Sequence, residues 1–347
     1  MALLWIEGFE SFGVTNGNAP VGLKQKYDNA TDDSSIGSVQ AGRTSGHSLR
    51  MIGGGTILGK TISTGTSTLI VGFGFYIDAF SSNANGQIFQ FWDGASEQGA
   101  LELQTSGLWK YYRRNNSTTA LGTSSGIAIT TATWFYVELK VTFHSSAGTV
   151  DIWVNGTSVL SLTGQNTSNS GNAQATTVVW EGSLGGSDHT TFDDIYVLDT
   201  TGSLNNAVLG AQVVKMIVPA SDAGTNAYTP DSGTNHWDRL TENPQDTTTY
   251  LSDDTTGHRE LFGMGSLAIG SVLGLQVNLV AAVTDNTVYS IKHSSHTSGG
   301  TDTDQAAVTT GDANYQTVSN VMQTNPQTSA QWAVSEVNAA QFGFKTG

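Results

Sequence analysis

Residues 109–114, Trp109-Lys110-Tyr111-Tyr112-Arg113-Arg114, set three aromatic rings and three cations side by side. Aromatic faces stack on sugar rings, and guanidinium groups donate to hydroxyls or carboxylates, so this run can do the chemistry of glycan recognition. Trp, Tyr and Arg are equally the residues of protein contact hot spots. On a strand, alternation sends Trp109, Tyr111 and Arg113 to one face and Lys110, Tyr112 and Arg114 to the other. One of those faces must be core. Trp109, Tyr111 and Arg113 are the candidates for an interface or a glycan contact, with core or assembly contact weighing above glycan. Trp237, in Asn235-His236-Trp237-Asp238-Arg239-Leu240, is a further candidate. It reads either as an anchor for a loop or as a plug into a neighbouring subunit.

Catalytic patterns are sparse. Glycoside hydrolysis needs two carboxylates facing each other across a groove. Residues 134–143 offer only Glu138, and Asp151 stands alone on its own strand. Of the seven histidines only His293 and His296 are close, and strand geometry puts that pair on opposite faces. With no Cys and no His-Glu-x-x-His, a zinc site is not expected. The expectation is a chain that is not an enzyme.

The elements that must position these residues are strands. The chain has 347 residues, enough for two domains that each bury a core. It holds 41 Gly and only 12% charged residues, about half the usual ~25%. Net charge is −15, shared by both halves. So acidic a surface lacks the basic stripe that nucleic acid requires, and it does not suit an anionic membrane. No stretch approaches the length of a transmembrane helix, and the N-terminus lacks the basic and apolar regions of a secretory signal. The absence of Cys fits assembly in a reducing cytosol.

Residues 134–143 alternate cleanly. Phe135, Val137, Leu139, Val141 and Phe143 form a core face, and Trp134, Tyr136, Glu138 and Lys140 an exposed or groove face. Residues 148–156 read as a strand running into an Asn155-Gly156 hairpin turn. Short strands with turn signals between them predict a sandwich. A first domain is expected over residues 1–201 and a second over 207–347, opening on a fresh strand at 208–219. The second carries a long irregular stretch at 220–260, a hairpin turning at residues 284–287, and a short helical turn within 329–336.

Four motifs occur in chain order: residues 42–51 (GRTSGHSLRM), 134–143 (WFYVELKVTF), 150–156 (VDIWVNG) and 192–199 (FDDIYVLD). With the opening strand at residues 3–12, they resemble the concanavalin-like (laminin-G-like) jelly roll of bacteriophage virion proteins. Residues 228–244 and 332–346 are similar to the companion domain such proteins carry. The resemblance implies an all-β fold of two β-sandwich domains, the first a concanavalin-like jelly roll. It implies a non-enzymatic structural component of a virion surface (head decoration, fibre or tail-surface protein), assembled in the host cytoplasm. Its partners would be other capsid or tail proteins, in a homo-oligomer and by likeness a trimer. The alternative is a receptor-binding module that recognises host-surface glycan. Sugar-binding jelly rolls often hold a structural calcium between their first and last strands, which makes Glu10 and Asp193 its candidate ligands here. No other cofactor is implied.

Overall fold

The computed structural model describes residues 2–12, 22–31, 33–52, 55–80, 85–114, 119–182, 188–284, 289–310 and 314–347. The chain forms two compact units, Met1–Lys215 and Met216–Gly347. Both are β-sandwich domains, and the first is the concanavalin-like jelly roll.

In the first unit an eight-stranded sheet runs in the order Thr157–Gln165, Gly148–Val154, Phe135–Thr142, Thr68–Ile77, His189–Asp199, His47–Ile52, Gly37–Ala41, with Leu3–Glu7 also paired to His189–Asp199. The opening and closing strands are therefore antiparallel neighbours, with Glu7 opposite Ile195. A seven-stranded sheet faces it in the order Thr119–Thr123, Trp109–Arg113, Ser96–Leu103, Gly86–Asp93, Ala175–Glu181, Ile57–Thr66, Asn29–Ala30. The core lies between the two sheets. Phe73, Phe75, Phe89, Phe91, Trp180 and Phe192 interlock there, with ring centroids 4.8 to 6.0 Å apart along the chain Phe91, Phe89, Phe73, Phe192, Phe75 and from Phe89 to Trp180. Such edge-to-face and offset pairs add to simple area burial.

The alternation read from residues 134–143 gives the register. Phe135, Val137, Leu139, Val141 and Phe143 are all buried in the core. Asn155 and Gly156 take φ of 50° and 76°, the two positive values a tight hairpin turn needs.

Residues 208–218 differ from expectation. Their apolar run reads as a strand, yet no strand forms there until Pro219–Asn226. Residues 209–215 belong to the first unit and lie across the outer face of its eight-stranded sheet. The Leu209 N–H donates to the Tyr196 hydroxyl at 3.2 Å, the Gly210 N–H to Glu138 Oε1 at 2.8 Å, and the Val214 N–H to Asp194 Oδ1 at 2.8 Å. Arg43 donates to the Gln212 carbonyl, and Lys215 to Ser45. Gly72 makes room beneath this strap, since a Cβ there would lie 2.3 Å from the Tyr196 ring. The outward residues Tyr136 and Glu138 are consequently buried as well, at 2% and 1% exposure.

The second unit has a six-stranded sheet in the order Pro219–Asn226, Arg259–Met264, Gln341–Thr346, Tyr289–His296, Asp302–Asp304, with Val308–Thr310 on Tyr289–His296. The expected hairpin does not exist. Leu275–Ala281 pairs with Gln316–Met322, whereas Tyr289–His296 joins the larger sheet. Residues 285–287 of the expected turn lie outside the described residues. The short helix is Val334–Ala339, closed by Glu336 accepting the Ala333 N–H at 2.8 Å. Two carboxylates staple the long irregular stretch to the sheet. Asp222 accepts the N–H groups of His236 and Trp237, and buried Glu260 accepts those of Ala227 and Tyr228 and bonds the His236 ring at 2.7 Å.

Candidate functional site

Trp109 and Tyr111 are fully buried in the core of the first unit. As contact residues they are corrected: alternation gave them the inner parity, and the outward face belongs to Lys110 and Tyr112. Arg113 shares their parity at the strand end and is half-buried. Trp237 heads the one-turn helix Trp237–Arg239, half-buried against the cluster of Tyr228, Phe262, Ile291, Val318 and Phe344. There it packs the irregular stretch against the second unit's own cluster.

The outward face of the seven-stranded sheet gathers what the sequence disperses. Phe89, Phe91, Leu101, Leu103, Trp109, Tyr111, Val178 and Trp180 point inward, so the residues alternating with them point out. Pairing sets Lys110 beside Glu102 and Glu102 beside Gln87. In the next row Tyr112 lies beside Ala100, Gln90 and Val179. In the third, Trp92 lies between Glu97 and Thr177. Four strands thus carry one polar and aromatic surface with small residues in its floor.

Side chains on this surface hold one another. Trp92 Nε1 donates to Gln90 Oε1 at 2.7 Å, and Gln90 Nε2 donates to Gln87 Oε1 at 3.2 Å and also to Glu181. Gln87 Nε2 donates to Glu97 Oε1 at 3.1 Å. The Tyr112 hydroxyl donates to Glu102 Oε1 at 3.3 Å, and the Lys110 ammonium sits 4.9 Å from the Tyr112 ring centroid. Asp93 accepts bonds from Ser170, Asn172 and Gln174 at 2.8 to 3.0 Å, which pins residues 170–174 beside the face as a wall. Burial pushes Glu181 up to about 7 against the opposing bond from Gln90. It pushes Glu97 up to about 6 against the bond from Gln87 and the charge of Arg114. Two carboxyls on one face are thus held above the usual carboxylate range, one of them opposite the half-buried Trp92.

Glu10 and Asp193, the calcium candidates, lie near enough for their charges to interact. Burial pushes Asp193 up to about 7, with the charges of Asp194 and Glu10 adding to it. Their oxygens, however, are engaged by amides: Glu10 Oε2 by His47 N–H at 3.0 Å, Asp193 Oδ2 by Arg43 N–H at 2.6 Å, and Asp193 Oδ1 by Asp194 N–H at 2.7 Å. Calcium takes about six to eight oxygens. Among the described residues no group of three or more Asp, Glu, His or Cys is placed to hold a metal ion, so this donor set does not fit calcium.

Two sequence patterns with catalytic associations resolve as structure. Residues 122–126 spell Gly-x-Ser-x-Gly, but Ser124 is buried and its Oγ accepts the Trp109 N–H at 2.9 Å, with no helix following. Residues 54–61 spell Gly-x-x-x-x-Gly-Lys-Thr. Residues 59–61 lie inside the strand Ile57–Thr66, and Lys60 bonds the Lys26 carbonyl and Asp28. A phosphate cradle needs a loop entering a helix.

No protein-family model and no curated protein matches this chain. Solved structures do. An alginate lyase, Aly36B, is similar at 15% identity and a TM-score of 0.41, over 55% of this chain and 95% of that one. A carbohydrate esterase from the Shiga toxin-encoding bacteriophage phi24B is similar at 17% identity and a TM-score of 0.34, over 46% and 85%. The carbohydrate-binding module CBM66 from Bacillus subtilis is similar at 12% identity and a TM-score of 0.31, over 49% and 92%. These are likenesses of fold. Since enzymes stand among them, the expectation that the chain is no enzyme is corrected and is not retained.

Proposed function

We propose that the first unit recognises polysaccharide on the outward face of its seven-stranded sheet, and that the chain serves on a virion surface as a host-glycan-binding component. The observation that carries this reading is the array of Gln87, Gln90, Trp92, Glu102, Lys110 and Tyr112. It joins an aromatic surface to donors and acceptors pre-oriented by mutual bonds, which is what a hydroxyl-rich ligand requires. The virion placement and a trimeric assembly with capsid or tail proteins follow from the resemblance of the sequence motifs. Trp92→Ala and Lys110→Ala should each weaken binding of the protein to purified bacterial surface polysaccharide by about tenfold, the loss of one stacking or charge-assisted contact. Binding unchanged in both variants would sink the reading. Immunodetection in purified particles tests the placement.

A second reading, cleavage of the bound glycan on the same face, is favoured by Glu181 and Glu97. Both titrate where a general acid or base works best. Incubation with alginate and with host polysaccharide, read as new reducing ends and as unsaturated products, tests it. Turnover lost in Glu181→Gln would establish it.

A further inference from the structure

The eight-stranded sheet also has an outward face, and the strap of residues 209–215 covers only a portion of it. Beyond the strap, one row crosses four strands at the end of the sheet. Trp134 precedes the strand Phe135–Thr142, and its ring lies 5.5 Å from that of Tyr76 at an angle of 47°. Tyr76 pairs with Thr191, and Thr191 pairs with Arg50. Phe75, Ile77, Leu49, Met51 and Phe192 point into the core, so this row points away from it.

A compact hydrogen-bonded triangle closes the row. Asp78 Oδ2 accepts from Arg50 Nη2 at 2.7 Å and bonds His189 Nδ1 at 2.7 Å, and Arg50 Nη2 lies 2.8 Å from that same ring nitrogen. The His189 N–H donates to Asp78 Oδ1 at 2.9 Å. The three side chains stay 34%, 29% and 23% exposed for Arg50, Asp78 and His189. Among the described residues, the Tyr76 hydroxyl, Trp134 Nε1 and His189 Nε2 take part in no hydrogen bond. The patch thus offers unused donors and acceptors around two rings, and Asp78 balances the charge of Arg50.

We propose that Trp134, Tyr76, Arg50, Asp78 and His189 form a second saccharide-binding site, for an uncharged sugar unit, on the opposite side of the sandwich from the candidate face. The rings supply the stacking surface, and the triangle holds Arg50 and His189 in place as hydrogen-bonding groups for hydroxyls. Internal charge balance disfavours a carboxylated or phosphorylated sugar, because an added anion would meet Asp78. The site stands on its own residues and does not need the first face to bind.

Electrophoresis through native gels containing dextran, galactomannan or a mixed-linkage β-glucan tests it, with alginate as the anionic comparison. Retardation is expected in at least one neutral gel. Trp134→Ala should weaken it by about tenfold and Tyr76→Phe, which keeps the ring, by about threefold, as expected for one lost stack and one lost hydrogen bond. Thermal melts of the variants confirm folding, and Tyr76→Phe remains decisive if Trp134→Ala does not fold. No retardation in any neutral gel overturns the proposal, as does retardation removed by Trp92→Ala but not by these variants. Self-association in the absence of polysaccharide that Trp134→Ala abolishes also overturns it, by making the patch a contact between copies.

Discussion

Glu138 and Glu102 sit on the two outward faces of one sandwich, at 1% and 2% exposure, and they are satisfied in different ways. Glu138 accepts from the Tyr196 hydroxyl and from a backbone N–H of the strap. Glu102 accepts from a side chain, Tyr112, on the neighbouring strand. Backbone donors that cross a sheet face fix a segment of chain, and losing them strands buried polar groups. Side-chain donors can turn toward an arriving hydroxyl and turn back. A carboxylate tied to backbone therefore serves the fold, whereas one tied to neighbouring side chains remains usable by a ligand.

The sharpest break in that comparison starts from the shared core. Leu139→Ala, beneath both faces, should cost about 2–5 kcal/mol in denaturant unfolding. Glu138→Ala should cost about 2–3 kcal/mol, because Tyr196 and Gly210 would lose a buried acceptor. It should also open residues 203–216 to limited proteolysis. Glu102→Ala should cost about 1 kcal/mol, the smaller loss because it strands one side-chain hydroxyl and no backbone N–H, and should show in glycan binding as well. Equal costs for the two Glu variants would erase the distinction between the faces.

Acidity gives the next test. Asp193 and Glu181 are pushed up to about 7 and Glu97 to about 6, all chiefly by burial. A raised carboxyl favours the folded state in its protonated form. Its contribution is complete below the usual range near 4 and is lost as pH climbs through the folded value. The first unit should therefore melt higher at about pH 5 than at about pH 8, by roughly 1–2 kcal/mol after allowance for solvent and neighbouring cations. Asp193→Asn should flatten the profile, and a melting point that rises with pH over that interval would contradict the burial argument. The smallest effect expected is that of calcium. Millimolar calcium or a chelator should move the melting point by no more than about 1 °C, since binding stabilises only as far as a site exists. A shift of several degrees, lost in Glu10→Gln, would reassign that pair to a metal.

Much of the fold was legible because it rests on local alternation. The inward set from Phe135 to Phe143 and the Asn155-Gly156 turn follow from period-2 patterning and turn chemistry, whereas the pairing of first strand with last was implied by the family resemblance alone. The strap was not legible. Residues 208–218 are an apolar run of strand length, and the distant acceptors Glu138, Asp194 and Tyr196 claim N–H groups within it. The hairpin expected at residues 271–293 failed for a similar reason: two apolar runs adjacent in sequence found partners elsewhere, at Gln316–Met322 and Gln341–Thr346. The candidate face was not legible from aromatic density, which singles out the buried Trp109 and Tyr111. Period-2 patterning could not have shown it: Gln87 and Gln90, and likewise Glu97 and Glu102, differ in parity, and they share a face only because the pairing shifts register at residues 88 and 98.

The strap also sets a load path. The chain leaves the first unit at Lys215, not at the end of the closing strand His189–Asp199. A pull transmitted through the second unit would reach the bonds of Val214, Gln212 and Gly210 before any bond of that strand. Those few bonds would break in succession and release slack while the sandwich stayed whole. That gives the sandwich a mechanical fuse ahead of its last strand.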